Sequence, residues 1–483
     1  MSQTEGDQTV GGRLIDGLHK VLNLSSEVRR PEVVGVLLFL SNLFLVLVAY
    51  YVLKTVREPL ILASGGAEMK SYAAGFQAGL LIGFIPAYGW VTRRVPRMWL
   101  NVGLTLFFVG CIELFFLAGY FGWPNLFGLV GGSSPPAWLA WAAGNLTLGF
   151  AFFVWVGIFS LSMIAQFWSY ANDLYDEPTG KRLFPVIAIG ATAGAPLGSA
   201  IAARLFDAGV GPYLMMQVSA GLLLVHLALY VLIERHVYGE SAPGETGEST
   251  VDRPGRDVGG FKLIARNRYL WWLALFFILL NLVNTTGEYI LSVYVEDAAH
   301  AAVEAGRAAS LEAFIGRFYG DFFSVVNVAA VLIQAFLVSR LLKWFGMKGV
   351  LFALPIVAFG TYGLVAFGVG LPVYRWAKTA ENSTDYSVMN TTRALVWLPT
   401  TRAEQYAAKQ TVDTFFVRLG DVLSAGLVFL GTTWLQFGPG SFAVTNLVLI
   451  GCWIGVGVLV LRHFWRLSEE RDITTEDLLE ETG

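Results

Sequence analysis

Val33-Val-Gly-Val-Leu-Leu-Phe-Leu-Ser-Asn-Leu-Phe-Leu-Val-Leu-Val-Ala-Tyr-Tyr-Val52 runs straight into Leu53-Lys54-Thr55-Val56-Arg57-Glu58-Pro59. The first stretch has no ionisable side chain and is long enough to cross a bilayer, which takes about 20 residues. The second delivers three charges at its end. A charge at mid-bilayer costs roughly 2.5–3.5 kcal/mol on insertion scales, so such groups face a protein interior or a polar cavity. The pattern returns at Asn281-Leu-Val-Asn284-Thr-Thr-Gly-Glu288, at Lys378-Thr-Ala-Glu381-Asn-Ser-Thr-Asp385, and from Asp413 through Arg418 to Asp421. Charge repeated within apolar helices implies a polar path through a membrane bundle.

Composition agrees. Of 483 residues, 55% are hydrophobic and 14% charged, with mean hydropathy +0.58. Soluble domains carry about 25% charged residues, so little of this chain is soluble mass. A net charge of −3 gives no footprint for nucleic acid. Both cysteines, Cys111 and Cys452, lie in apolar runs, which indicates packing rather than a disulfide framework or a metal site. No zinc-ligand spacing, HExxH motif or Ser/His/Asp set is present, so no cofactor and no catalytic group is expected. The first thirty residues lack the apolar core of a cleaved signal peptide. Leu14, Leu18, Val21 and Leu22 share a helical face over Gly11–Leu24, which suits a surface-lying helix as well as a disordered tail.

Apolar segments fall at Val33–Val52, Ala73–Val91, Trp99–Tyr120, Trp138–Tyr170, Phe184–Phe206, Tyr213–Ile233, Tyr269–Val295, Phe318–Leu342, Val350–Gly370, Leu371–Leu398, Tyr406–Phe437 and Phe442–Leu461. They predict an all-α membrane protein of about twelve spans. The tenth is polar, but Tyr374, Lys378, Glu381 and Asp385 make one helical stripe. Arg and Lys crowd alternate loops: Arg29 and Arg30, Arg93 to Arg97, Lys181 and Arg182, Arg253 to Arg268, Arg340 to Lys348, Arg393 and Arg402, then Arg462 to Arg471. Basic short loops stay cytoplasmic, which places both termini inside a bacterial cytoplasmic membrane. The charged stretch Glu296–Arg317 is expected as a small external helix.

The polar interruption Glu234–Arg268 reads as a linker between two six-span halves. The expected units are an N-terminal segment 1–30, a bundle 31–236, a linker 237–268, a bundle 269–465 and an acidic tail 466–483. Two parallel six-helix repeats around a central cavity describe the major facilitator architecture.

Lys54, Arg57 and Glu58 share a helix face and could bind an anion. The plainer account is a membrane-edge anchor reaching the headgroups. Lys378, Glu381 and Asp385 cover about two turns and cannot all escape to an interface. Glu288 and Asn284 stand one turn apart in the seventh span; a buried carboxylate there can trade protons, or merely bond two helices. Asp413, Arg418 and Asp421 form either an internal ion pair or a gate. Asp173, Asp176, Lys181 and Arg182 suit a cytoplasmic ion-pair gate. Gly190, Gly194 and Gly198 form a close-packing seam.

With those motifs laid out, the chain resembles the nucleotide transporter family of ATP/ADP translocases. Leu53-Lys54-Thr55-Val56-Arg57-Glu58 resembles the family's Leu-Lys-Asp-Thr-Lys-Asp, and Lys181-Arg182-Leu183-Phe184-Pro185 its Lys-Arg-Phe-Tyr-Pro. Asn281-Leu282-Val283-Asn284 resembles a seventh-span Asn-Leu-Val-Glu. Asp385-Tyr386-Ser387, with Arg393, Leu398-Pro399, Lys409, Asp413 and Leu419-Gly420, resembles its tenth-to-eleventh stretch. Lys54 falls on one of two lysines that function in the exchangers. The seventh-span glutamate falls on Asn284, the eleventh-span lysine on Asp421, and the glutamate before Lys-Arg has no counterpart.

The resemblance implies a secondary transporter exchanging a nucleotide or related phosphorylated metabolite by alternating access. Lys54, Arg57 and Lys378 would hold phosphates, while Glu288, Asp385 and Asp421 would gate or orient. The expected partners are that small molecule and the lipid bilayer, with one chain per carrier. A proton-coupled symporter of an organic zwitterion is the alternative. A membrane glycosyltransferase and a lipid flippase stand further off; the former would need large external loops that the sequence lacks.

Overall fold

The computed structural model describes residues 27–120 other than 93 and 96, then 147–240 and 259–471, with isolated positions 17, 19 and 20. The face expected over Gly11–Leu24 lies almost wholly outside the described residues, as do the centre of the linker at 241–258 and the tail from 472 onward. Among the described residues every regular element is helical. Lipid offers no partner for a backbone amide, and a helix satisfies each one within its own segment.

Ten helices are long and apolar enough to cross a membrane among these residues. The first, Val33–Thr92, is two spans joined at Gly66, whose φ of +71° breaks the helix in a conformation that suits glycine. Arg97–Tyr120, Leu148–Leu174, Glu177–Asp207 and Pro212–Glu240 complete the first bundle. A linker helix, Gly260–Arg266, precedes Arg268–Glu304, Leu311–Phe336 and Val338–Ala366.

The tenth span falls below the apolar threshold, as its stripe of charge predicts. It is Leu371–Thr384, a π-helical turn Asp385–Met389 and Asn390–Leu395. The eleventh, Glu404–Thr433, carries two more π turns at Glu404–Ala408 and Val412–Phe416. Pro439–Glu469 is the last. Twelve crossings in two bundles of six therefore stand among the described residues, in the expected architecture.

Two expectations are corrected. Glu296–Arg317 holds no separate helix: residues 296–304 prolong the seventh span and 311–317 open the eighth. An uninterrupted helix leaves fewer backbone groups unbonded than a new one would. The basic loop after the eighth span is itself helical and breaks at Gly346, with φ +61°.

The first and fifth spans are drawn together by the glycine seam. A Cβ on Gly190 would collide with the Leu40 carbonyl. One on Gly194 would lie 2.7 Å from the Phe44 carbonyl oxygen, and one on Gly198 2.6 Å from that of Val48. The halves meet toward the end of the bundle remote from the chain termini. There the Glu296 carboxylate accepts the Ala67 amide at 2.9 Å, Arg317 pairs with Asp207 at 3.0 Å, and Gly316 and Gly320 pack on Phe206 and Ala203. Toward the termini the second and eleventh spans stand apart. A cavity of about 560 Å³ separates Ile82, Ile85 and Gly89 from Gln410, Thr414 and Phe415.

Gly194→Ala should lower the thermal stability of the purified protein by ~1–3 kcal/mol, because the seam backbone must move to admit a methyl. Gly221→Ala, with nothing within 4 Å of its added Cβ, should leave it unchanged. Equal melting temperatures for the two variants would overturn the seam.

Candidate functional site

Lys54, Arg57 and Glu58 lie eight to twelve residues before the break at Gly66, roughly 12–18 Å along the helix. That depth disposes of the membrane-edge anchor. The three line a cavity of about 210 Å³ with Asn284 and Glu288 of the seventh span and Arg418 and Asp421 of the eleventh. Asn382 and Tyr386 of the tenth span, Phe153 and Phe323 also line it, as do Lys70 and Gln77 of the second.

Glu58 is almost fully buried and gripped from two helices. Its carboxylate lies 2.7 Å from the Arg57 guanidinium and 2.7 Å from the Lys70 ammonium. Lys70 also donates to Ser292 at 2.9 Å and to Tyr319 at 3.3 Å, which ties the first half to the second. The Arg57 guanidinium lies 4.1 Å over the Phe153 ring. Asp421 pairs with Arg418 at 3.3 Å and accepts hydrogen bonds from Asn281 at 2.6 Å and Thr285 at 2.7 Å.

Lys54 is different. Its ammonium lies 4.4 Å over the Phe323 ring and 5.0 Å over Tyr51, with the Tyr386 hydroxyl at 3.5 Å. No carboxylate lies within ion-pair distance of it among the described residues. A cation held by ring faces gains part of what a counterion would give and keeps its charge unspent for a ligand. The lining holds four cations (Lys54, Arg57, Lys70, Arg418) and three carboxylates (Glu58, Glu288, Asp421), so the cavity carries one positive charge in excess.

Lys378 and Glu381 do not line this cavity. They are buried directly behind Glu288, with Lys378 at 3.0 Å from Glu381 and 3.7 Å from Glu288. Asp385 also stays out of the lining: the π turn directs it to Arg393, 3.9 Å away. Arg418 pairs with Asp421 rather than with Asp413, which is exposed and makes no ion pair among the described residues. Arg182 pairs with Glu32 at 2.8 Å and donates to the Glu27 carbonyl, so it closes the first bundle on itself instead of latching one half to the other. Asp173 and Lys181 are exposed on the adjoining ends of the fourth and fifth spans. Among the tyrosines near the chamber, Tyr289 lines it, while buried Tyr51 and Tyr374 bond Asn327 and the Gly287 carbonyl.

Lys70, Gln77 and Phe153 escaped the sequence reading. The second span was expected from Ala73, but its helix starts just after Gly66, which carries Lys70 inside. The Gly65-Gly66 pair, with Lys70 four residues on, was the available signal.

No protein-family model matches the chain. It is 23% identical over 376 residues to ADP,ATP carrier protein 1 of Chlamydia pneumoniae, covering 68% of this chain and 70% of that one. The fold is similar to the nucleoside transporter NupG, with TM-score 0.56, 15% identity, and 89% of this chain and 99% of that one covered. It is also similar to a bacterial homologue of the iron transporter ferroportin in an inward-facing state. There the TM-score is 0.60 at 15% identity, with 87% and 98% covered. The chain thus has the major facilitator fold and is a multi-pass membrane protein.

Glu58→Ala leaves two buried cations without their shared partner and should cost ~3–5 kcal/mol of stability. Lys54→Ala removes a cation that no carboxylate balances and should melt close to the wild type. Thermal unfolding in detergent distinguishes them; a larger loss for Lys54→Ala would contradict the pairing described.

Proposed function

We propose that this chain is an alternating-access carrier exchanging nucleotides, or related phosphorylated metabolites, across a bacterial cytoplasmic membrane. The observation that carries the reading is Lys54, a cation on the cavity wall held by rings and left without a carboxylate. Phosphate oxygens would take the place of that missing partner. Arg57 and Arg418 would add further donors once bound phosphate competes with Glu58 and Asp421. Phe153 and Phe323 offer apolar faces for a base or sugar. The likeness to the chlamydial carrier supports the same solute class.

The halves touch remote from the termini and part beside them, which supports entry to the cavity from the terminal end. The basic loops lie at that same end, which supports placing it in the cytoplasm. Rocking the halves would close this mouth and open the other. Lys378 would act on the solute through Asn284 and Glu288 rather than by direct contact, and Asp385 through the tenth helix. The carrier would work as a single chain, and the domain bounds given above would delimit its two moving bodies.

Proteoliposomes loaded with unlabelled ADP should take up labelled ATP. Lys54→Ala should raise the apparent KM about ten- to a hundredfold, the loss of one charge-assisted contact worth ~1.5–3 kcal/mol. No uptake of any nucleotide by the wild type, or uptake indifferent to the substitution, would remove the assignment.

A further inference from the structure

Within the cavity and its walls, carboxylates outnumber cations in one cluster. Lys378, fully buried on the tenth span, stands between Glu381, 3.0 Å away, and Glu288, 3.7 Å away. It also donates to Asn284 Oδ1 at 3.0 Å, to the Asn284 carbonyl at 3.5 Å and to the Tyr362 hydroxyl at 3.4 Å. The Tyr362 hydroxyl of the ninth span donates to Glu381 Oε1 at 2.8 Å, and Asn382 donates to Glu288 Oε1 at 2.9 Å. Glu381 Oε2 is buried and has no hydrogen-bond partner among the described residues. Two carboxylates therefore share a single ammonium. At the other carboxylates of the cavity the ratio is met or reversed: Glu58 has two cations, and Asp421 has Arg418 and two neutral donors.

An uncompensated buried charge is expensive, and the inexpensive remedy for a carboxylate is a proton. We propose that Glu288, Lys378 and Glu381 hold one exchangeable proton, which crosses the membrane with the more negative of the two exchanged solutes. The inference rests on the carrier reading above and adds its coupling ion.

The access is graded. Glu288 lines the cavity, with 27% of its side chain exposed, whereas Lys378 and Glu381 are sealed behind it. A proton taken from cavity water by Glu288 moves on when Lys378 gives one of its own to Glu381 and takes the proton of Glu288 in its place. The ammonium is unchanged, Glu381 becomes a neutral acid, and Lys378 is left to pair with Glu288. The other groups facing the cluster are Tyr374, bonded to the Gly287 carbonyl, and the Lys70–Glu58 pair with Tyr319 across the chamber. Lys54, Arg57, Arg418 and Asp421 face it from the first and eleventh spans.

Counted together, cavity and cluster carry one excess positive charge with both carboxylates ionised and two with the proton bound. Nucleoside di- and triphosphates differ by about one negative charge above the second phosphate pKa of about 6. One bound proton therefore gives both solutes the same total charge inside the membrane.

The test uses full-length protein in vesicles with a trapped pH-sensitive dye at pH 8, where both solutes are fully ionised. External ATP exchanging for internal ADP should acidify the lumen by about one proton per ATP entering, and ATP/ATP exchange should leave lumenal pH unchanged. Glu381→Gln should keep ATP/ATP exchange, lose the acidification, and make ATP/ADP exchange respond to an imposed membrane potential. Should that variant fail to fold, Glu288→Gln interrupts the same route, and its readout is again protons per ATP rather than rate. Exchange by the wild type with no acidification overturns the proton inference and leaves the carrier standing; absence of ATP/ATP exchange overturns both.

Discussion

A carboxylate inside a membrane must be bonded to something, and Glu58 is bonded to two cations on two helices. That three-way contact fixes much else. It holds the first span against the second below their junction at Gly66, and through Lys70 it reaches Ser292 and Tyr319 in the other half. Glu58 engages two cations at once, and with Glu288 and Asp421 it offsets three of the four positive charges that face the chamber. The remaining excess is concentrated on Lys54, which aromatic rings stabilise without neutralising.

The chamber is thus nearly balanced rather than strongly cationic. A strongly positive cavity would bind a polyanion well and release it slowly, whereas a carrier has to do both on every cycle. Ion pairs that can be traded for substrate contacts, such as Arg418 with Asp421, let phosphate bind by exchange of partners, so the gain on binding stays modest. The departures from the translocase pattern at Asn284 and Asp421 fall on this balance. The first puts a neutral acceptor against Lys378, and the second gives Arg418 its partner.

The fold was legible because each of its signals is local. Twenty apolar residues, a basic loop and a glycine every fourth position need no knowledge of distant contacts. The tenth span was legible too, since its polar groups repeat with a helical period while hydropathy fails there. What the sequence concealed depends on where a helix begins or on which partner wins. Lys70 lies three residues before the expected start of the second span, and the break at Gly66 carries it inside. Arg182 sits beside acidic residues in sequence, yet its partner is Glu32, on the neighbouring helix of the same bundle. Asp385 follows the stripe of Lys378 and Glu381, but a π turn adds a residue to the helical repeat there and rotates it toward Arg393. Pairing inside the chamber is a three-dimensional choice among many similar charges.

The closed end of the bundle is joined by Glu296 on the Ala67 amide and by Arg317 on Asp207. Water can replace each partner of such contacts when the surfaces separate, so parting them strands no dry group. The packing of Gly316 and Gly320 on Phe206 and Ala203 is the apolar part that has to be wetted each time. The lock is therefore one that solvent itself can pick, and the molecule need spend little to turn inside out.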